Sequence, residues 1–539
     1  MELLPPAGFA PLASSVLPAQ RFRQAARLAQ CKQGVPVIED YIERIRKARV
    51  YDVAERTPLE LAPRLSERLG NQVLIKREDL QSVFSFKLRG AYNKMAQLTE
   101  RQRADGVIAA SAGNHAQGVA LAAQKLGLRA LVVMPTTTPS IKIQAVQARG
   151  VETMLVGDSY DDAYTHARKL ESEQGLTFVH PYDDPDVIAG QGTIGMEILQ
   201  QHRGPLHAVF VPVGGGGLIA GVSAYVKHLY PEVKMIGVEP EDAACLKAAL
   251  DADTRVTLDR VGLFADGVAV RQVGDEPFRI ARETVDEVVT VGTDEICAAI
   301  KDSFDDLRSV AEPAGALAVA GIKRYVKLKG IRRQTLVGIQ SGANLNFDRL
   351  RHVAERADLG EAREAVFGVT IPECPGAFES FCKILGAVPV TEFNYRIGDL
   401  EQAHIFVGVG LQRGDEEREE IRTRLEQAEL PVVDMSQNEL AKSHVRFMVG
   451  GRALAAHERL VRFEFPERPG ALLQFLQAMG HRWNITLFHY RNHGAAFGRV
   501  LAAMQVPNSE TNEFHGFLDG VGYRWVDESD NPAYQLFLR

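Results

Sequence analysis

The stretch "SVFSFKLRG" (82–90) seats Lys87 directly behind Phe86, in a run otherwise built of small and apolar residues up to Arg89. Two chemistries suit such a lysine. It can lie on an amphipathic helix with its stem along apolar surface and its amine in water. Alternatively its amine is kept dry and uncharged, so that it can attack a carbonyl. The stretch alone does not separate them.

Three further stretches carry groups that could work with such an amine. "AVFVPVGGGGLIAGV" (208–222) reads as a buried strand, four glycines and a helix start. Gly214, Gly215, Gly216 and Gly217 let consecutive N–H groups curl around an anion, and the helix dipole behind them adds positive potential. Ile219 stands where a dinucleotide fingerprint needs glycine, and no G-K-[ST] follows for a nucleoside triphosphate. A single phosphate fits this loop; a plain flexible turn is the alternative. "SAGNHAQGVA" (111–120) likewise follows a strand and opens a helix, where Asn114 offers a donor and an acceptor or simply caps the helix. "GIQSGANLN" (338–346) ends another strand at Ser341, whose hydroxyl could meet a ring nitrogen or cap a helix. A lysine amine, a phosphate cradle, an amide and a strand-end hydroxyl together are what pyridoxal 5'-phosphate requires.

The elements that must hold these groups follow from periodicity. From about 105 to 345, short apolar runs such as "GVIAAS", "ALVVMP", "HAVFVPV", "KMIGVEP" and "TLVGIQ" alternate with amphipathic stretches. That alternation predicts a parallel sheet covered by helices, with ligands at the C-terminal strand ends. A charged run at 352–364, "HVAERADLGEARE", reads as a linking helix. Beyond it the chain repeats itself: "FGVTIPECPGAFESFCKILG" (367–386) matches "VRFEFPERPGALLQFLQAMG" (461–480), and each is followed by an aromatic-rich strand. The plan β-α-β-β-α is therefore used twice.

These motifs carry a resemblance. "TPL" (57–59), "KREDLQSVFSFKLRGAYNKM" (76–95), "SAGNHAQG", "VPVGGGGLIAG", "ADGVAV" (265–270), "EPAGAL" (312–317) and "QSGAN" resemble those of the biosynthetic threonine dehydratases, or threonine deaminases. These belong to the tryptophan-synthase-β-like group of pyridoxal phosphate enzymes, and the likeness runs from about residue 36 to the C-terminus. It implies an α/β protein of fold type II, with two open twisted subdomains, followed by two ACT-like α+β regulatory domains. Its expected boundaries are an extension at 1–35, a catalytic domain at 36–355 with a small subdomain at about 80–178, a linker at 356–364, and ACT-like domains at 365–450 and 459–539.

By position, the resemblance implies that Lys87 ties the cofactor covalently and Phe86 packs on its ring. Asn114 would meet the ring hydroxyl, Gly214 to Leu218 the phosphate, and Ser341 the pyridine nitrogen, while Ser111, Ala112, Gly113, Asn114 and His115 would hold the substrate carboxylate. His115 is read as a structural neighbour of that turn, and Glu312 has no assigned role. The implied reaction takes L-threonine to 2-oxobutanoate and ammonia, the first step of isoleucine biosynthesis, with isoleucine inhibiting, valine opposing it, and a tetrameric assembly. L-Serine would give pyruvate, and a broader serine/threonine dehydratase with a different effector is the alternative. Serine racemases of this fold carry a serine where this chain has Ala112, which cannot transfer a proton, so racemisation should be weak. Cys245 stands where those proteins place an aspartate near Glu239, so no required metal is expected. Tyr395, Arg396, Tyr490 and Arg491, at matching places in the repeat, are effector-pocket candidates, or tyrosines filling a half-buried face.

Bulk properties bound the rest. The 539 residues carry a net charge of −7, which speaks against nucleic acid or an anionic membrane as main partner. No apolar run reaches the roughly 18 residues of a membrane span. Five cysteines without a C-x-x-C pair suit a reducing compartment. The expected location is cytoplasmic, or an organelle if the Pro-rich, then basic stretch 1–35 is a transit segment.

Overall fold

The structure, a computed structural model, describes residues 36–372, 377–386, 388, 390–396, 401–447, 457–466, 475, 478–479, 482–483, 485–491 and 497–538. The extension 1–35 therefore lies outside the described residues.

Residues 36–345 build two sheets. Strands β1 (Leu59–Leu61) and β2 (Gln72–Arg77) are followed by β3 (Val107–Ala110), β4 (Ala130–Met134), β5 (Glu152–Leu155), β6 (Thr177–Phe178), β7 (Ala208–Pro212), β8 (Lys234–Pro240), β9 (Glu287–Val291) and β10 (Thr335–Gln340). The smaller sheet has the order β5-β4-β3-β6, and all its neighbours are parallel. The larger has the order β1-β2-β10-β7-β8-β9 and is parallel except for the edge strand β1. Every apolar run quoted above is a strand, and β3, β4 and β7 are buried along their whole length, as strands covered on both faces must be.

The order has a consequence for the site. β10, last in the chain, enters between β2 and β7, pairing Val337 with both Leu74 and Val209. Its C-terminal end therefore opens beside that of β7. Helices α1 (Lys87–Ala96), α2 (Asn114–Leu126), α3 (Ser140–Gln147), α4 (Pro185–Gln201), α5 (Gly217–Leu229), α6 (Cys245–Ala252), α7 (Thr293–Leu307) and α8 (Pro313–Lys329) cover the sheets. Beneath the site, Arg89 on α1 is fully buried and ion-paired to Glu78 (2.8 Å) and Glu197 (2.6 Å), with Lys76 also on Glu197 (2.6 Å). Each buried charge has a hydrogen-bonded counterpart, the condition on which charges persist in a core.

Helix α9 (Arg349–Gly360) leads into the repeat. Its first unit holds β11 (Glu364–Pro372), α10 (Ala377–Leu385), β12 (Val390–Arg396), β13 (Gln402–Gly410), α11 (Asp415–Gln427), β14 (Val432–Asp434) and α12 (Glu439–Ser443). The second holds β15 (Glu458–Pro466), β16 (Ile485–Arg491), β17 (Phe497–Gln505) and β18 (Arg524–Asp527). The two sheets have equivalent orders, β12-β13-β11-β14 and β16-β17-β15-β18, with antiparallel neighbours, so each repeat gains a fourth strand that its sequence pattern did not announce. Alternate residues explain the packing: Phe367 and Val407 face the helices of their own unit, whereas Val366 and Phe406 join Leu460 and Leu501 of the second sheet in a shared core.

Five ionic side chains join this tail to the catalytic body. Arg356 on α9 is buried and bonds Glu439 of α12 with two nitrogens, and it also bonds Asp294 at the start of α7. Lys442 reaches Asp294 (2.7 Å), and Arg499 of β17 reaches Glu439 (2.6 Å). Despite its burial, Glu439 is held well below the usual carboxylate range by Arg356, Arg499 and Lys442.

Candidate active site

The first turn of α1 begins beside the end of β10. The N–H of Phe86 donates to the carbonyl of Ser341 (3.2 Å), and Ser85 bridges Gly342, so Lys87 and Ser341 are fixed at one edge of the large sheet. The glycine loop 214–217 leaves β7 at the same edge, and Gly216 takes φ +90 as it caps α5, a conformation in which an added Cβ would lie 2.9 Å from Pro277. From the small sheet, β3 ends at Ala110 and the turn 111–113 starts α2 at Asn114.

These segments enclose a cavity of about 1190 Å³. Phe86, Lys87, Ser111, Ala112, Gly113, Asn114, His115, Gly214, Gly215, Gly216, Gly217, Leu218 and Ser341 all line it, so every cofactor and substrate candidate from the sequence converges there. The amine of Lys87 donates to the carbonyl of Pro181 (3.3 Å) and lies 5.3 Å from the centre of the Phe86 ring. Burial lowers its pKa to about 8, with Glu312 pulling the other way. The ring of His115 bonds the carbonyl of Val179 (2.8 Å), and burial, then the neighbouring Lys87, pushes it down to about 3, so it is neutral. Ser341 lines the cavity, and its hydroxyl makes only a long bond to the carbonyl of Ala314 (3.3 Å).

The site also contains residues that sequence reasoning left without a role. Glu312, 4% exposed, accepts from the amide nitrogen of Asn114 (2.6 Å), and Asn344 donates to the amide oxygen of Asn114 (2.6 Å). Burial and Asp266 push Glu312 up to about 7, against the pull of Asn114, Lys142 and Arg349. Lys142 of α3 reaches Asp266 (2.8 Å), tying the small-sheet half to the loop 265–270 of the other half, and Arg349 approaches Asp266 from α9 (3.4 Å). His180, Tyr182, Tyr160 and Tyr164 form an aromatic wall, His180 edge-on to Tyr164 and Tyr182, and Tyr160 stacked on Tyr164. Most unexpectedly, Glu464, Phe497, Tyr523 and Trp525 of the second tail repeat line the same cavity. No local pattern marks such a contact, because its partners are more than 100 positions apart.

Glu239 and Cys245 have other business. Glu239 accepts from the N–H groups of Leu246 (2.8 Å) and Lys247 (2.9 Å) at the start of α6, and Cys245 donates to the carbonyl of Gly214 (3.3 Å). Among the described residues, no three His, Cys, Asp or Glu side chains come together in a way that would hold a metal ion. Tyr395 and Arg396 lie on β12 opposite Ile405 and His404, and Tyr490 and Arg491 on β16 opposite Val500 and Arg499. Their side chains lie outside the described residues.

The arrangement can be tested against the cofactor on its own terms. A phosphate needs free N–H groups without side chains in the way, and the 214–217 loop at the N-terminus of α5 presents them to the cavity. An aldehyde needs a neutral amine, and the Lys87 amine has been driven toward that form with no carboxylate bonded to it. The residues present fit the group.

The chain is similar to known proteins along most of its length. Residues 50–342 match the family described as pyridoxal-phosphate dependent enzyme, and residues 355–445 and 449–538 match the C-terminal regulatory domain of threonine dehydratase. The L-threonine dehydratase biosynthetic IlvA of Burkholderia multivorans is 59% identical over 503 residues, covering 93% of this chain and 99% of that one. Its counterpart in Escherichia coli is 55% identical over 511 residues, covering 95% and 99%. Among solved structures, the processed form of threonine deaminase isoform 2 from Solanum lycopersicum superposes with a TM-score of 0.59 at 51% identity, covering 60% of this chain and 94% of that one.

Proposed function

The chain belongs to the biosynthetic threonine dehydratases, pyridoxal phosphate enzymes with C-terminal regulatory domains, and from that membership we propose the detailed reaction and its control. L-Threonine is converted to 2-oxobutanoate and ammonium as the first step of isoleucine biosynthesis. Isoleucine bound by the tail inhibits, valine opposes it, and the active assembly is a tetramer. The observation that carries this reading is the convergence of Lys87, Asn114, the 214–217 loop and Ser341 on one cavity.

Pyridoxal phosphate, when bound, supplies a conjugated ring that delocalises the electron pair left at Cα. The protein does the rest. The N–H groups of Gly214 to Leu218 would hold the phosphate, Lys87 would anchor the aldehyde carbon, Phe86 would pack on the ring, and Ser341 would meet the ring nitrogen. A hydroxyl there leaves the nitrogen largely unprotonated, which makes the ring a milder electron sink and favours loss of the β-hydroxyl over reprotonation at Cα. The turn from Ser111 to His115 binds the substrate carboxylate through its backbone. Lys87, its ammonium form disfavoured by burial, removes the Cα proton as the free amine, and the ammonium so formed gives that proton to the departing hydroxyl, which leaves as water. The unsaturated amine released tautomerises and hydrolyses, so water lost is water regained and the products balance threonine. Ala112 offers no acid or base on the opposite face, which supports elimination over racemisation. Neither step calls on a metal.

No helix among the described residues is long and apolar enough to cross a membrane. We assign the enzyme to the cytoplasm, or to an organelle if residues 1–35 are a transit segment. The test is production of ammonia and 2-oxobutanoate from threonine, titrated with isoleucine and valine. Serine used as well as threonine, without a response to isoleucine, would identify instead a broader dehydratase with a different effector.

A further inference from the structure

We propose that Asn344 and Glu312 are positioning residues that lock the Asn114 amide so that its N–H, and not its oxygen, faces the cofactor's ring oxygen. The proposal rests on the reading above in which Asn114 meets that ring.

The argument starts from a group with no choice. The carbonyl of Val83 can only accept, and Asn344 donates to it at 2.9 Å, which fixes the nitrogen of the Asn344 amide on that side. The same nitrogen donates its second hydrogen to the oxygen of Asn114 at 2.6 Å. Asn114 must therefore turn its own nitrogen the other way, where it donates to Glu312 at 2.6 Å. One hydrogen of that nitrogen remains, and Asn114 lines the cavity. Direction thus runs from Val83 through Asn344 and Asn114 to Glu312, and each amide is left with a single orientation.

The room for this chain is made by a glycine. A Cβ added at Gly342 would stand 2.4 Å from the Glu312 carboxyl, and the Glu312 N–H donates to the carbonyl of Gly342 at 3.1 Å. Glu312 is thereby held beside Asn114 by backbone as well as by burial. An amide locked as a donor stabilises an anionic ring oxygen over a protonated one, since a hydrogen bond to the charged form favours that form. The ring electronics are then set partly by two side chains that need not touch the ring at all.

The experiment reads the visible absorbance of the holoenzyme against pH, without substrate, in the wild type, Asn344→Asp, Asn344→Ala, Glu312→Gln and Asn114→Ala, with thermal midpoints as a folding control. Asn344→Asp replaces the donor facing Asn114 with an acceptor and turns the amide over. The absorbance transition should then move to higher pH by about one unit or more, and Asn344→Ala should move it in the same direction by less. Glu312→Gln, whose oxygen can still accept, should stay close to the wild type. Folded Asn344 variants with unmoved transitions would overturn the proposal, as would an Asn344→Asp shift toward lower pH. An unmoved transition in Asn114→Ala would instead remove the underlying reading that this amide meets the ring.

Discussion

Arg356 and Glu439 face each other across the junction between the catalytic body and the tail, Nη1 to Oε1 at 2.9 Å and Nη2 to Oε2 at 2.7 Å. Glu439 also receives Arg499 of the second repeat, so one carboxylate joins three parts of the chain. Glu439→Gln leaves the buried Arg356 and the half-buried Arg499 short of a counter-charge, and the expected loss is on the order of 2–3 kcal/mol in denaturant unfolding. The pKa of Glu439 is lowered by folding, so its contribution is complete above the ordinary carboxyl value of 4.5 and is lost only as pH falls well below it. The stability gap between variant and wild type should accordingly be full at neutral pH and close in acid. A gap of under about 1 kcal/mol at pH 7 would show that this cluster is not what holds the junction.

Lys87→Ala removes both the anchor and the base. Activity on threonine should fall by at least about a thousandfold, with loss of borohydride-trapped cofactor at position 87. Burial disfavours the ammonium, so in the cofactor-free protein trapping should rise through pH of about 8. A rise near the ordinary lysine value of 10.5 would mean that the amine is solvated.

Gly216→Ala tests the cradle. A side chain at φ +90, with its Cβ 2.9 Å from Pro277, costs about 1–2 kcal/mol in backbone alone, so cofactor affinity should weaken by about 5–30-fold. Equilibrium titration of the cofactor-free variant with pyridoxal phosphate reads this directly.

Lys142→Ala cuts the contact with Asp266 between the two halves of the site while leaving the cradle whole. Both partners are partly exposed, which keeps the effect modest: kcat/KM for threonine should fall by about 2–5-fold, with cofactor absorbance unchanged. A change in cofactor absorbance would place Lys142 closer to the ring than its contacts suggest.

Much of this site is legible in the sequence because its parts are strand ends. Lys87, Asn114, Gly214 to Gly217 and Ser341 each sit in a short motif whose flanking periodicity announces the element that carries it. What the motifs do not convey is pairing across distance. Glu312 and Asn344 gain their meaning from Asn114, some 200 positions away, and neither burial nor amide direction leaves a local trace. The insertion of β10 between β2 and β7 is likewise a choice of topology, since its apolar run would suit any interior place in a parallel sheet. β14 and β18 are edge strands of three or four residues, only partly buried, too short for an alternating pattern to stand out.

Phe497, Tyr523 and Trp525 make the regulatory tail of this chain part of the wall of the catalytic cavity. Grafting a foreign tail at residue 355, or dispensing with the tail, would change the outline of the cavity that Lys87 and Ser341 line. The two parts are thereby yoked: a substitution among these residues of the second repeat reshapes the catalytic cavity as well as the tail.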